Sequence, residues 1–235
     1  MNRHITRSLI LIATLLLFNV ATVEAQWMRQ YEPSSQLRFR FGLFEPTGDS
    51  DGWGAVFEGF TGQPSDLQDF VWGMDYLWLT GRHTGVLFGA SAYRGKTTSA
   101  YEDWQAADGG EIRHTTSLEI SDLTAAFVYR FSNGRVRPYI GLGGGIVWYT
   151  LTDEGEFIDF GSPDLPVIWA WYGARNTTFE AFGLAGLDIP LSHNWSFIVE
   201  ARYRWAEDTL SEDFAGFGEL DLSGNEITGG FGISF

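Results

Sequence analysis

Cysteine is absent from the chain. That excludes disulfides, a zinc–thiolate centre, a thiol nucleophile and a lipid-bearing cysteine behind an export signal. Positive charge is scarce, with 15 Lys+Arg against 30 Asp+Glu, a formal net charge of −15. Nucleic acid is therefore not expected as a partner, because binding phosphate requires the opposite sign. Long apolar runs are missing after the first residues, so no later stretch is long enough for a transmembrane helix, which needs about 20 apolar residues. No helical period of useful length appears, and the four histidines are scattered.

The beginning of the chain reads as an export signal. Arg3, His4 and Arg7 precede an apolar run from Leu9 to Val20, and Val23-Glu24-Ala25 offers small residues where a signal peptidase cuts. Residues 1–25 are expected to be removed. That takes away Arg3, Arg7 and Glu24 and moves the net charge to −16. Glycine (29), phenylalanine (19) and tryptophan (10) are plentiful, a usage that suits twisted sheet and interfacial aromatics.

Eight alternating segments follow, at 36–46, 69–80, 84–96, 115–131, 135–152, 176–191, 194–207 and 221–235. Gly81-Arg82-His83, Ser132-Asn133-Gly134 and Ser192-His193 make tight hairpin turns. The other four connections, 47–68, 97–114, 153–175 and 208–220, are long and acidic. Strict alternation of short turns with long loops puts both chain ends on the short-turn side, which is the arrangement of a transmembrane barrel with short periplasmic turns and long extracellular loops. The expected fold is an all-β, eight-stranded, antiparallel up-and-down barrel over 36–235, preceded by a periplasmic segment at 26–35.

The facing of the strands supports lipid outside. Trp195, Phe197, Val199, Ala201, Tyr203 and Trp205 alternate with Ser196, Glu200, Arg202 and Arg204, and Phe70, Trp72, Met74, Tyr76 and Trp78 oppose Asp75. The fourth segment changes phase: Leu118 and Ile120 are even-numbered, whereas Leu123, Ala125, Phe127, Tyr129 and Phe131 are odd. A bulge near Ser121 or Asp122, or a segment standing above the membrane, accounts for this. With apolar faces outward, the lumen collects Arg38, Arg40, Asp75, Asp122, Arg130, Arg137, Glu180, Asp188, Glu200, Arg202, Arg204 and Glu226. Six bases face six acids in an interior only wide enough for its own side chains, and they are expected to pair and plug it.

At "RPYIGLGGGIVWY" (137–149) and the closing "GFGISF" the sequence resembles the OmpA-like family of eight-stranded outer-membrane β-barrels. The resemblance covers about 36–235 and implies an outer-membrane location. In that family a terminal Phe and the alternate apolar residues before it are read by the barrel-assembly machinery, a role that falls here on Phe231, Ile233 and Phe235. It carries no cell-wall tethering, since nothing in the chain matches the peptidoglycan-binding domain of longer members.

Catalytic and metal readings find little support. His114 with Ser117 and Glu119 is the one grouping that suggests hydrolysis, and it lacks the His-x-Ser spacing of the outer-membrane deacylases. "GLGGG" (141–145) lacks the third glycine and the helix of a dinucleotide loop. "DSDG" (49–52) is half a calcium loop and fits a turn better. The expectation is a non-enzymatic, cofactor-free monomer in contact with outer-membrane lipid and lipopolysaccharide. Its acidic, aromatic loops would serve a structural or surface-interaction role. A small ion or solute channel is the alternative, and a lipid-modifying enzyme stands behind both.

Overall fold

The computed structural model describes residues 35–48, 50–132 and 134–235. The expected signal at 1–25 and all but Ser35 of the segment 26–35 lie outside the described residues. Eight antiparallel strands close into a barrel: β1 (Ser35–Pro46), β2 (Asp69–Leu79), β3 (Thr84–Gln105), β4 (Glu111–Arg130), β5 (Arg137–Ile158), β6 (Val167–Pro190), β7 (Trp195–Trp205) and β10 (Gly224–Ser234). A helix α1 (Asp51–Phe57) occupies the first long connection, and a two-stranded sheet, β8 (Glu207–Thr209) with β9 (Glu219–Asp221), the last. Closure runs through β1 and β10, from Pro46↔Gly224 to Gln36↔Ser234. Beyond it, the Phe235 amide donates to the Ser35 carbonyl at 3.0 Å.

Two of the expected loops are mostly strand. Segments 97–114 and 153–175 extend β3 and β4, and β5 and β6, leaving turns only at 106–110 and 159–166. Four strands therefore project past the ends of β2, β7, β1 and β10. Their alternation was hidden because it runs with inverted polarity. On β4 the even residues face inward along the whole strand, and pairing with β5 is continuous from His114↔Gly155 to Arg130↔Tyr139, so no bulge lies near Ser121. What changes is the medium. Below Ser121 the outward residues are Leu123, Phe127 and Tyr129; above it they are Glu119, Ser117 and Thr115, while Leu118 and Ile120 become the buried core. The same switch falls at Ala92/Arg94 on β3 and Trp148/Thr150 on β5, on the two adjacent register rows Ala92↔Ser121↔Trp148 and Arg94↔Glu119↔Thr150.

Below that line the exterior is a belt of exposed Phe39, Phe41, Leu43, Met74, Phe88, Leu142 and Ile227, with Trp72, Trp78, Trp195 and Trp205 toward the strand ends. Charged side chains sit inside instead. That is the reverse of a water-soluble barrel and fits a bilayer around the strands. The interior is also more apolar than the sequence suggested. Leu77, Leu87, Ala126, Val128, Phe182, Leu184 and Ile198 form a cluster that shares the lumen with the charges. Glycines make room for it: a Cβ on Gly143 would come 2.6 Å from the Ala126 Cβ and 2.7 Å from Phe182.

Candidate functional site

The lumen network brings together ten of the twelve expected residues as ion pairs. Arg40 lies 3.0 Å from Asp75 and also contacts Glu226; Arg202 lies 2.8 Å from Glu200 and 3.9 Å from Asp75; Arg204 lies 2.7 Å from Asp122 and 2.8 Å from Glu180; Arg130 lies 3.4 Å from Asp188. Tyr139, which composition did not mark, donates its hydroxyl to Glu200 at 2.8 Å. The expectation of complete pairing fails at two arginines. Arg38 donates through Nε to Gln36 Oε1 at 2.7 Å and lays its guanidinium 4.9 Å from the Tyr139 ring centre. Arg137, half-buried at the start of β5, pairs with no carboxylate among the described residues; its Cα partner across the sheet is Asp188. The balance of six to six is also uneven in space. Arg130 and Arg137, at the ends of β4 and β5, share the short-turn end with Asp188, Arg38 stands across from Asp75 one level up, and Asp122, Glu180, Glu200 and Glu226 lie nearer Arg40, Arg202 and Arg204.

The opposite mouth is sealed by a core like that of a soluble domain. Trp53, Val56 and Phe57 from α1, Leu67, and Leu210, Phe214, Leu220 and Leu222 from the last connection pack on Phe44, Val71, Tyr93, Leu118, Ile120, Val147 and Tyr149. The helix begins where half a calcium loop was considered: the Ser50 hydroxyl accepts the Trp53 amide at 3.4 Å and so caps its first turn. Trp53 then anchors the plug by donating its indole N–H to the Asp221 carbonyl at 2.6 Å.

His114 is not grouped with Ser117 and Glu119. Strand alternation turns His114 inward and the other two outward, where Glu119 pairs with Arg94 at 2.8 Å. His114 instead meets a residue the sequence reading left in a loop: its Nε2 lies 3.5 Å from Asp153 Oδ1, which accepts the Thr116 hydroxyl at 3.1 Å. Phe60 stands edge-on to the imidazole at 4.2 Å and Phe157 stacks on it at 5.1 Å. This chamber lies in the strand extensions beyond the apolar belt. Burial pushes His114 down to about 4 and Asp153 up to about 7, so both neutral forms are favoured.

Of the loop aromatics, Trp53, Phe57, Phe157 and Phe214 are buried, whereas Trp104, Phe160, Trp169, Trp171 and Phe217 are exposed. At the barrel's other end Phe231 and Phe235 face outward, Phe231 edge-on to Phe197 at 5.7 Å, with Ile233 partly covered between them.

Solved structures share this geometry. Neisserial surface protein A matches with a TM-score of 0.50 at 10% identity, covering 86% of this chain and 96% of that one. The outer membrane protein OprG from Pseudomonas aeruginosa matches with a TM-score of 0.52 at 14% identity, covering 87% and 97%. The chain folds as an outer-membrane β-barrel. No family model and no curated protein matches the sequence. The short turns at 80–83 and 191–194 lie at one end of the barrel and the strand extensions at the other.

Proposed function

We propose that this barrel is a closed surface-interaction protein, non-enzymatic and without a cofactor, that presents its extracellular strands to a partner and passes no steady solute flow. The sealed mouth carries this reading. A conducting pore needs a continuous water column, yet the first and last long connections bury Trp53, Leu67, Leu210, Phe214 and Leu220 across the opening, and paired charges fill the barrel below. Lipid and lipopolysaccharide surround the apolar belt, the protein acts as a monomer, and Phe231, Ile233 and Phe235 are the residues offered to the assembly machinery. Deleting Phe235 should slow folding into membranes without altering the extracellular strands.

Planar-bilayer recording of the purified full chain tests the closed state. Little steady conductance is expected. Stable, reproducible open-channel current from the unmutated protein would promote the small-channel alternative to first place.

A further inference from the structure

Strand β6 pairs with β7 only from Ala181 to Pro190. Beyond Ala181 it has β5 on one side, as far as Val167, and no strand on the other among the described residues. The last connection covers part of this edge: the Asp213 carboxylate accepts the Gly173 amide at 2.9 Å, and the Glu207 carbonyl accepts the Thr178 hydroxyl at 2.9 Å. The first of these contacts fixes the geometry of the rest. Because Gly173 directs its N–H away from β5, the alternation of a strand directs the N–H and C=O of Trp171, Trp169 and Val167 the same way. The Asp159 amide donates to the Pro166 carbonyl across the turn at 3.0 Å, placing even-numbered groups on the β5 side in agreement. Val167–Tyr172 therefore offers an unpaired row of backbone donors and acceptors and no charged side chain that would blunt the edge.

The surrounding side chains select what such an edge would accept. Trp169 is 70% and Trp171 59% exposed, and they share one face of the sheet. Trp171 lies back across Gly173, which has no Cβ to lift the ring. Directly across on β5, Glu156 opposes Trp169 and Glu154 opposes Trp171. Neither carboxylate forms an ion pair among the described residues. Glu156 accepts only the Arg113 amide at 3.5 Å. Two exposed indole faces beside two carboxylates that hold no cation suit guanidinium or ammonium groups spaced two residues apart.

We propose that Val167–Tyr172 captures an extended basic polypeptide by strand addition, with its Arg or Lys side chains at alternate positions stacking on Trp169 and Trp171 in the field of Glu154 and Glu156. The inference rests on the surface-interaction reading and gives it a partner class. A second copy of this chain fits less well, because it brings the same negative charge.

The full chain in lipid nanodiscs free of lipopolysaccharide, titrated with a fluorescent octapeptide of alternating Arg and Thr, provides the test. Saturable binding is expected. It should weaken about tenfold in the Trp169→Ala/Trp171→Ala variant, as loss of two exposed cation–π contacts requires, and should vanish for a peptide N-methylated at alternate residues. Equal binding by the N-methylated peptide, unchanged binding by the double variant, or no binding would overturn the proposal, as would self-association lost in the double variant without peptide capture. Binding that survives both changes would come from the acidic surface as a whole and leave the surface reading standing; that reading is tested separately by conductance.

Discussion

The residue scale shows how strongly burial alters the weight of a charge. Arg204 reaches Asp122 and Glu180 in the lumen, while Arg94 reaches Glu119 on the outer face of the strand extensions at a similar 2.8 Å. Arg204→Ala leaves two carboxylates uncompensated in a closed interior and is expected to destabilise the barrel by about 3–5 kcal/mol. Arg94→Ala should fall within about 1 kcal/mol, since both partners of its pair are exposed to solvent. Urea unfolding of both variants in lipid, followed by heat-modifiable gel migration, checks the contrast. At His114 and Asp153 the issue is pH. Asp153 in the folded chain holds a proton up to about pH 7 that an ordinary carboxyl releases near 3.8, so its contribution is full at low pH and is lost as pH rises through that window. His114 stays neutral down to about 4 instead of 6.5, so its contribution is full above 6.5 and is lost as pH falls toward 4. Between pH 4 and 6.5 the slopes oppose each other, and the chamber should be nearly indifferent to pH. Asp153→Asn removes one side of that balance. Protection of the amides around Ile112–Thr116 and Leu151–Gly155, taken relative to their intrinsic exchange at each pH, should then fall steadily between pH 6.5 and 4; protection that does not change with pH would show that the two groups are not buried as described.

Among the elements, β10 gives the clearest test of facing and depth. Phe231 and Ile233 look outward from the same strand, but Phe231 sits in mid-belt across from Phe39 and Ile233 near the short-turn edge. Phe231→Arg should cost about 2–4 kcal/mol and Ile233→Arg distinctly less, because a charge near the interface reaches water. Refolding yield and urea midpoints in vesicles would expose an inverted or depth-independent order. The spans of β1, β2, β7 and β10 were readable because lipid outside and charge inside give a strict two-residue period with a strong contrast, as in Trp195 through Trp205. The extensions of β3 to β6 were not, for a definite reason. Past Ala92, Ser121 and Trp148 the outer medium is water and the inner one is a core built partly from other loops. Polarity inverts there and its contrast falls: Ser99, His114, Thr116 and Asp153 face inward where Tyr93, Leu118 and Leu151 also do. The lumen acids and bases were legible from parity alone. Their placing by depth was not, since it depends on strand stagger, and neither was the apolar cluster around Phe182, whose members come from six strands and carry no local signal of meeting.

Taken as a whole, the molecule joins a lipid-solvated barrel to a water-solvated four-strand projection, with the plug at the joint. Trp53→Ala should loosen that joint, removing a ring that is 2% exposed and its bond to Asp221; core deletions of this size cost about 3–5 kcal/mol. Limited proteolysis should then cut within 47–68 while the barrel below keeps its heat-modifiable migration. Loss of both together would show a single cooperative unit. The aligned polarity switch on β3, β4 and β5 acts beyond solvation, as a draught mark on a hull. Sinking the protein would carry Arg94, Lys96 and Glu119 into hydrocarbon, and lifting it would bring Phe88, Leu123 and Ile146 into water. A bilayer of different thickness therefore meets a barrel that cannot adjust by sliding, and the mismatch falls on tilt and on the lipids next to the wall.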